Sequence, residues 1–342
     1  MNNPSIDAWS ALYDESRKFK DLAPWTWMWD SDIFGLQDPV TREIGYCCVM
    51  GRKKEHYGMA VYLGTEGLEN YLQVQSGLAE RDSESAVHSM RCLTVSFEDR
   101  HFLDQEDLRM IQILGLKFKG KNTWPKFRSY QPGYYPWYLT CEEVIYLTLC
   151  LQHAGEIAMR FKHDSKLLHP LEDGHYFVRR FQSGDSTHPW SDERYMPPPL
   201  TRMVRMTKQI RTDQLKRIKG FPHVEGSVWE IDLFPAPAKV GKAGERPFIP
   251  VCILFVEQAS NFIIHFHMAT RREYLVELME EFLTAIESAG FLPSEIQLKN
   301  VELLSFLEPL AQEFSINLKQ VPLCPAVDDA KKSMREYFGK HK

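Results

Sequence analysis

The hydrophobic and polar positions of the first 182 residues predict an α+β domain. Apolar residues recur at helical spacing after Ser5 and after Thr140, and both residue types are common helix N-caps. Shorter apolar runs between turn residues indicate strands. The predicted helices cover residues 6–22, 66–71, 104–114 and 141–161, and the predicted strands cover residues 44–50, 59–63, 93–97 and 175–181.

Two aromatic segments of this domain have less regular patterns. Trp25, Trp27 and Trp29 alternate with period two, which predicts a strand that places three rings on one face. Residues 124–138 contain seven aromatic residues and three prolines, so we expect a loop there. Such a loop either covers a core or, with Lys126 and Arg128 nearby, stacks bases or sugars.

The pattern changes after residue 182. Residues 183–200 contain four prolines and little periodicity, which is typical of a linker. Residues 201–219 then predict a helix that is strongly basic. We therefore expect a linker and a basic helix at residues 183–220, between two domains.

Residues 221–342 show the order β-β-β-α-β-α-β-α, which is typical of an α/β domain. Three strand-like runs come first, and helices and strands alternate after them. The predicted strands cover residues 229–234, 248–256, 262–268, 295–299 and 316–321, and the predicted helices cover residues 270–289, 301–314 and 326–338.

Composition favours a folded chain of two domains. Of the 342 residues, 44% are hydrophobic and 25% are charged, close to the averages of globular proteins. The net charge of −5 gives no sign that the molecule as a whole binds polyanions. No apolar run approaches the ~20 residues of a membrane span, and no signal peptide is visible. We therefore expect a cytoplasmic protein without membrane contacts.

Cysteine and histidine spacing gives no strong metal signal. The seven cysteines are scattered and contain no Cys-x-x-Cys pair, which argues against a disulfide framework or a zinc ribbon. His265 and His267 share one face of a predicted strand, as two metal ligands would. Because the sequence places no third ligand beside them, we expect a structural role for both.

The basic helix is the candidate nucleic-acid contact. It carries seven basic residues and one acid, Asp213, and cations at this density can neutralise phosphates. The alternative is a solvated helix that docks through Met203, Met206 and Ile210. The candidate nucleic-acid-binding residues are Arg202, Arg205, Lys208, Arg211, Lys216 and Arg217.

The C-terminal sequence resembles the RNase H-like domains of retroviral integrases and many transposases. Residues 229–233 (WEIDL) resemble the first catalytic strand, and residues 251–266 resemble the second and third strands. Residues 274–289, followed by Gly-Phe-Leu-Pro at 290–293, resemble the helix that leads into the fourth strand. The resemblance covers about a third of the chain and implies an RNase H-like domain over residues 221–342.

This resemblance implies a site for divalent metal ions, which in such enzymes bind between two or three carboxylates. Asp232 takes the first ligand position, and the metal assignment rests on it. Asp328 and Asp329 are the further candidate catalytic residues. The second ligand position reads Lys299-Asn300, which departs from the pattern. The domain is therefore expected to be non-catalytic, and the functional alternative is a nuclease or phosphoryl-transfer enzyme that uses Mg²⁺ or Mn²⁺. A different α/β fold is the remaining structural alternative.

The N-terminal sequence resembles a bacterial domain of unknown function that occurs beside a C-terminal domain of this kind. The segments that carry the resemblance are residues 32–35, 46–51, 62–64 and 127–130. Together the patterns favour a non-catalytic binding or interaction protein that contacts nucleic acid through residues 201–220. No cofactor is expected outside the nuclease alternative.

Overall fold

The computed structural model describes residues 4–77, 89–169, 174–182, 189–199, 212–236, 239–242, 244–270 and 274–340. The chain divides into two compact units, Met1–Thr201 and Arg202–Lys342. Each unit contains helices and a mixed sheet, so the mixed α/β class predicted from the sequence is confirmed. No helix within the described ranges is long and apolar enough to cross a membrane.

The N-terminal unit begins with a helix and continues with a sheet interrupted by helices. Its helices are α1 (Ile6–Leu22), α2 (Gly64–Gln75), α3 (Gln105–Ile113) and α4 (Cys141–His163). Its strands are β1 (Phe34–Gln37), β2 (Ile44–Met50), β3 (Gly58–Leu63), β4 (Cys92–Glu98), β5 (Trp124–Tyr130), β6 (Tyr176–Phe181) and β7 (Trp190–Tyr195).

In the described part of this unit, seven strands form one sheet in the order β5-β4-β3-β2-β1-β6-β7. Neighbouring strands are antiparallel except β1 and β6, which are parallel. Helices α1 and α4 pack against each other and bury one face of the sheet. Helix α2 covers part of the opposite face, where Tyr46, Tyr62 and Tyr71 join a second apolar cluster.

The prediction of a strand from the alternating tryptophans is wrong, because the segment does not form a strand. Helix α1 ends at Ala23, whose φ of 50° reverses the chain, and a short 3-10 helix follows. Trp25 is buried, the Trp27 indole donates to the Ala158 carbonyl oxygen at 3.0 Å, and Trp29 is 48% exposed. The three rings therefore occupy three different environments and do not share one face of a strand.

The loop predicted over residues 124–138 is also wrong in its first half, which forms β5. This strand lies at the edge of the sheet, and Pro125 faces Phe97 of β4. An edge strand tolerates proline because one side of its backbone has no ladder partner. Proline and aromatic content alone therefore did not distinguish an edge strand from a loop.

Strand β7 lies inside the segment predicted as a linker. It pairs antiparallel with β6, and its Asp192 carboxylate accepts hydrogen bonds from Arg160 at 2.5 Å and Arg179 at 2.8 Å. Its four inner side chains are polar, the aromatic Trp190 and Tyr195 stand at its ends, and most of the strand is half-buried. Because ion pairs contribute to holding this strand, hydrophobic periodicity could not predict it.

The C-terminal unit follows the predicted order of elements after one short helix. Its helices are α5 (Thr212–Lys219), α6 (Tyr274–Ala289), α7 (Val301–Glu313) and α8 (Pro325–Lys340). Its strands are β8 (His223–Pro235), β9 (Val251–Glu257), β10 (Phe262–Ala269), β11 (Leu292–Leu298) and β12 (Asn317–Gln320).

Within the described residues of this unit, five strands form a sheet in the order β10-β9-β8-β11-β12. Strands β8, β9 and β10 are antiparallel neighbours, whereas β11 is parallel to both β8 and β12. The main core lies between the sheet and helices α5, α6 and α7, around the fully buried Trp229 and Phe282. Helix α8 covers the other face, where Cys324 and Val327 pack against β8 and β9.

Candidate functional site

Two acidic side chains of β8 point toward helix α8. Glu230 and Asp232 are two residues apart on the strand, so they lie on the same face of the sheet. The Glu230 carboxylate is fully buried and accepts hydrogen bonds from the Val327 backbone N–H at 2.9 Å and the Gln258 side chain at 3.0 Å. Since Val327 lies in the first turn of α8, Glu230 binds the amino end of that helix.

The Asp232 carboxylate is also engaged by α8. Asp232 is 8% exposed, and its carboxylate forms an ion pair with the Lys331 ammonium. It also accepts a hydrogen bond from the Leu233 backbone N–H at 2.8 Å. The Lys331 nitrogen lies 4.9 Å from the centre of the Phe234 ring, which adds a cation–π contact. Lysine therefore neutralises the carboxylate predicted as the first metal ligand.

Asp328 is held by a second lysine. The Lys299 ammonium donates to both carboxylate oxygens of Asp328, at 2.8 and 3.0 Å, and Lys331 lies 3.9 Å from the same carboxylate. Burial alone would lower the pKa of Lys299, but the hydrogen bond to Asp328 and the charges of Asp328 and Asp232 together raise it. Lys299 is therefore a charged partner of Asp328.

The remaining sequence candidates do not complete a metal site. Asn300 directs its side-chain oxygen toward the Leu303 backbone N–H at 3.4 Å, as a residue capping α7 does. Asp329 is exposed and forms no ion pair with the described residues. The structure thus brings Asp232 and Asp328 to the same lysine, Lys331, pairs Asp328 with Lys299 as well, and leaves Asp329 outside this cluster.

The donor set does not fit a pair of divalent metal ions. Asp232, Asp328, Lys299 and Lys331 form two acidic and two basic groups, whose charges cancel. Among the residues that the structure describes, no group of three or more His, Cys, Asp or Glu side chains is arranged to hold a metal. We refer to these four residues as the lysine–aspartate cluster.

Helix α6 supplies carboxylates to the histidine pair, which the sequence did not predict. His267 contacts Glu277 through Nε2 at 2.7 Å and Glu281 through Nδ1 at 3.4 Å. His265 forms a close contact with Glu281 through Nε2. The two glutamates are four residues apart and so share one helix face. These contacts join β10 to α6.

Only the end of the predicted basic helix falls in the described residues, as α5. Arg217 donates to Glu287 from Nε at 3.0 Å, and Lys219 forms an ion pair with Glu313 at 2.6 Å. Lys216 is exposed and has no carboxylate partner within the described ranges. Four candidate residues lie outside the described residues: Arg202, Arg205, Lys208 and Arg211.

The cations of the aromatic segment have structural partners. Arg128 is buried and donates to both oxygens of Asp107, at 2.8 and 2.7 Å, and to Asp104 at 2.6 Å. The Lys126 ammonium donates to the Phe102 carbonyl oxygen at 2.8 Å. Arg128 therefore fastens the first turn of α3 to β5, and it is not exposed for nucleic-acid contact.

A groove of about 320 Å³ lies on the face of the N-terminal sheet that α2 partly covers. Its lining includes small strand side chains such as Ala60 and Ser96, and the tyrosines Tyr62, Tyr71 and Tyr130. Arg52 lies over the ring of Trp29 at 5.0 Å on its rim. A groove of this size can hold a small ligand, which sequence periodicity alone could not indicate.

Comparisons with known proteins identify domains but no activity. No curated protein matches this chain. The simian T-cell lymphotropic virus intasome in complex with PP2A regulatory subunit B56 gamma is similar over 33% of this chain and 41% of that chain, with 17% identity and a TM-score of 0.25. This likeness is too weak to support a conclusion about fold or function. The second family model that matches, a domain of unknown function (DUF6930), covers residues 214–335. The first, a domain of unknown function (DUF7309), covers residues 9–179, half of the chain, and the chain therefore belongs to the DUF7309 family.

Proposed function

We propose that this protein is a non-catalytic binding protein whose C-terminal unit is an RNase H-like domain. The observation that carries the proposal is the lysine–aspartate cluster. The carboxylates that an RNase H-like enzyme would offer to metal ions are bound here by Lys299 and Lys331. Their role is to fix helix α8 on the sheet.

The order of elements supports the RNase H-like assignment. The C-terminal sheet and its helices follow the order β-β-β-α-β-α-β-α from β8 to α8, which is the order that the sequence resemblance implies. Asp232 lies on the first strand of this series and Asp328 on its last helix. The fold therefore brings both aspartates close to Lys331, which pairs with Asp232 and lies 3.9 Å from the Asp328 carboxylate.

Electrostatics favours the non-catalytic alternative. At an effective dielectric constant of 20, a divalent cation about 4 Å from an ammonium group is repelled by about 8 kcal/mol, twice the value for two unit charges. Metal binding between Asp232 and Asp328 would have to displace both lysines first. Each displaced lysine would lose its carboxylate partner, and Lys331 is only 14% exposed.

The identity of the binding partner stays a proposal. The predicted nucleic-acid contact through residues 201–220 retains Lys216 as an exposed cation, while Arg217 and Lys219 pair within the unit. The predicted bacterial origin and cytoplasmic location also stay predictions. The alternative function, a nuclease dependent on Mg²⁺ or Mn²⁺, makes a different prediction for the same carboxylates.

A cleavage assay separates the two functions. The full chain is incubated with labelled single-stranded DNA, duplex DNA and RNA in Mg²⁺ or Mn²⁺, beside the variants Asp232→Asn, Asp328→Asn and Asp329→Asn and the exposed control Glu308→Gln. We expect no metal-dependent cleavage by the unmodified protein. Cleavage that disappears in Asp232→Asn and persists in Glu308→Gln would refute the proposal and establish the nuclease.

A further inference from the structure

A second basic segment lies in the N-terminal unit. Residues 108–141 contain no aspartate or glutamate. A stretch of this length without an acid is unusual in a chain whose net charge is −5. The segment carries six basic residues: Arg109, Lys117, Lys119, Lys121, Lys126 and Arg128.

Three of these lysines project from the connection between α3 and β5. Phe118 packs against the core of the N-terminal unit, whereas Lys117 and Lys119 on either side of it are exposed. The connection turns back at Gly120 and Asn122, where φ is 97° and 51°, and Lys121 is exposed in this turn. One partly buried ring thus anchors a segment whose lysines are exposed.

Helix α1 adds two cations to the same place. Arg17 and Lys20 line a concavity of about 160 Å³ together with Lys117 and Lys119. Asp21 lines it as well, and it is the one acidic residue among the lining residues. Two elements that are far apart in sequence therefore bring four cations to one concave surface.

Neighbouring carboxylates balance these cations only in part. Arg17 approaches Asp14 only to 3.7 Å, and among the described residues no ion pair involves Lys20, Lys117 or Lys119. Arginines elsewhere in this unit form shorter pairs: Arg91 with Glu43, Arg128 with Asp107, Arg179 with Glu156, and Arg180 with Glu193. Clustered like charges repel one another, so an anionic partner would relieve the repulsion.

Aromatic rings lie beside the cations. The rings of Phe118 and Trp124 are 5.7 Å apart and both are partly exposed. Arg17 lies 5.8 Å from the Phe118 ring, and Arg100 lies 5.8 Å from the Trp124 ring. Cations that follow a backbone and rings that accept bases are the features by which proteins bind single-stranded nucleic acid.

We propose that Arg17, Lys20, Lys117, Lys119 and Lys121, the lysine surface, bind the phosphate backbone of single-stranded nucleic acid without reading its sequence. Lysine suits this role because it contacts phosphate as a point charge. The proposal concerns the N-terminal unit and does not depend on whether the C-terminal unit is catalytic.

Fluorescence anisotropy of a labelled single-stranded DNA tests the proposal. The buffer contains EDTA, so that cleavage of the probe by a metal-dependent activity cannot affect the result. If all five cations contact phosphates, affinity falls roughly 100-fold between about 50 and 200 mM salt. The double variant Lys117→Glu/Lys119→Glu should bind at least about tenfold more weakly, with a salt slope reduced by about 1.4.

A matched control tests the location. Lys53→Glu/Lys54→Glu introduces the same charge change at an exposed hairpin and should leave the affinity within about twofold. Equal losses in both double variants, no loss in Lys117→Glu/Lys119→Glu, or a loss only in Lys216→Glu would overturn the proposal. Tighter binding to anionic lipid vesicles or to duplex DNA than to the single strand would overturn the choice of partner.

Discussion

At the scale of single residues, the lysine–aspartate cluster explains how the Asp232 carboxylate can be buried with its charge neutralised. Asp232 is 8% exposed, and its charge is matched by Lys331, which comes from 99 residues further along the chain. A buried ion pair of this kind is costly to break because the remaining charge has no partner. Removing one member therefore reveals the role of the pair.

We predict that Lys331→Met loosens helix α8. The variant keeps the hydrocarbon part of the side chain but leaves the Asp232 carboxylate unpaired, which costs about 3 kcal/mol. Amide hydrogen exchange of residues 325–336 should then be about 100-fold faster. The exposed Lys332→Met is the control and should change little, and Asp232→Asn/Lys331→Met should recover most of the protection. Equal exchange in the two single variants would contradict this account.

A second network, around Arg179, gives a prediction about pH. Arg179 donates to His153 Nδ1 at 3.1 Å, to Glu156 at 2.7 Å and to Asp192 at 2.8 Å, and so joins α4 to β6 and β7. Burial, followed by the charge of Arg179, lowers the pKa of His153 from 6.5 to about 4. The ring therefore stays neutral in the folded protein where the unfolded chain would protonate it.

Stability of the N-terminal unit should accordingly fall as the pH drops from 6.5 to about 4. In this range the unfolded chain binds a proton at His153 that the folded chain does not, so acid favours unfolding. Glu156 and Asp192, whose pKa values are lowered from 4.5 and 3.8, lose their contributions as the pH falls below those values, mostly beyond the range in which His153 acts. Urea unfolding followed by tryptophan fluorescence should show that His153→Gln flattens this decline, whereas His163→Gln, exposed on the same helix, does not. Parallel profiles for His153→Gln and the unmodified protein would refute the assignment.

At the scale of elements, hydrogen bonds at helix ends and close backbone contacts decide which segments form. The Thr140 hydroxyl accepts from the Glu143 N–H at 3.3 Å, and the Glu143 carboxylate accepts from the Thr140 N–H at 2.9 Å, a capping box that starts α4. Strands β3 and β4 approach so closely at Gly58 that a Cβ there would lie 2.1 Å from the Val95 carbonyl oxygen.

We predict opposite effects for two glycine-to-alanine substitutions. Gly58→Ala forces β3 and β4 apart and should destabilise the N-terminal unit by about 2 kcal/mol. Gly155→Ala lies inside α4, where the nearest atom to a new Cβ is 3.8 Å away, and should stabilise by about 0.5–1 kcal/mol. Urea unfolding measures both. Loss of stability in Gly155→Ala, or none in Gly58→Ala, would contradict the packing described.

The sequence predicted elements well where a cap or a long apolar pattern defined them. Helix α1 occupies the predicted residues 6–22, and α4 begins after Thr140 as predicted. The sequence pattern did not predict β5 and β7, which are edge strands that tolerate proline or polar side chains. Long-range ion pairs such as Asp232 with Lys331 were out of reach, because spacing along the chain gives no information about partners on another element.

At the scale of the whole molecule, the chain combines a DUF7309 domain with a DUF6930 domain, and the two carry different surfaces. In the C-terminal unit, the carboxylates of Glu230 and Asp232 bind helix α8 of the same unit. The N-terminal unit has cations at the lysine surface that its own carboxylates match only in part. Chain length and composition predicted two domains but not which one carries the cationic surface. Net charge is a sum over the whole chain, and only the fold shows where the exposed charges lie.

Thermal unfolding in the presence of divalent metal ions tests whether Asp232 and Asp328 bind lysines instead of metal ions. An ion that binds only the folded protein raises the unfolding temperature, and the rise grows with the ion concentration. For the unmodified protein, and separately for Asp232→Asn, we expect the unfolding temperature in Mg²⁺ or Mn²⁺ to equal that in EDTA. A saturable rise with Mg²⁺ or Mn²⁺ that Asp232→Asn abolishes would contradict it and would show that the carboxylates bind metal.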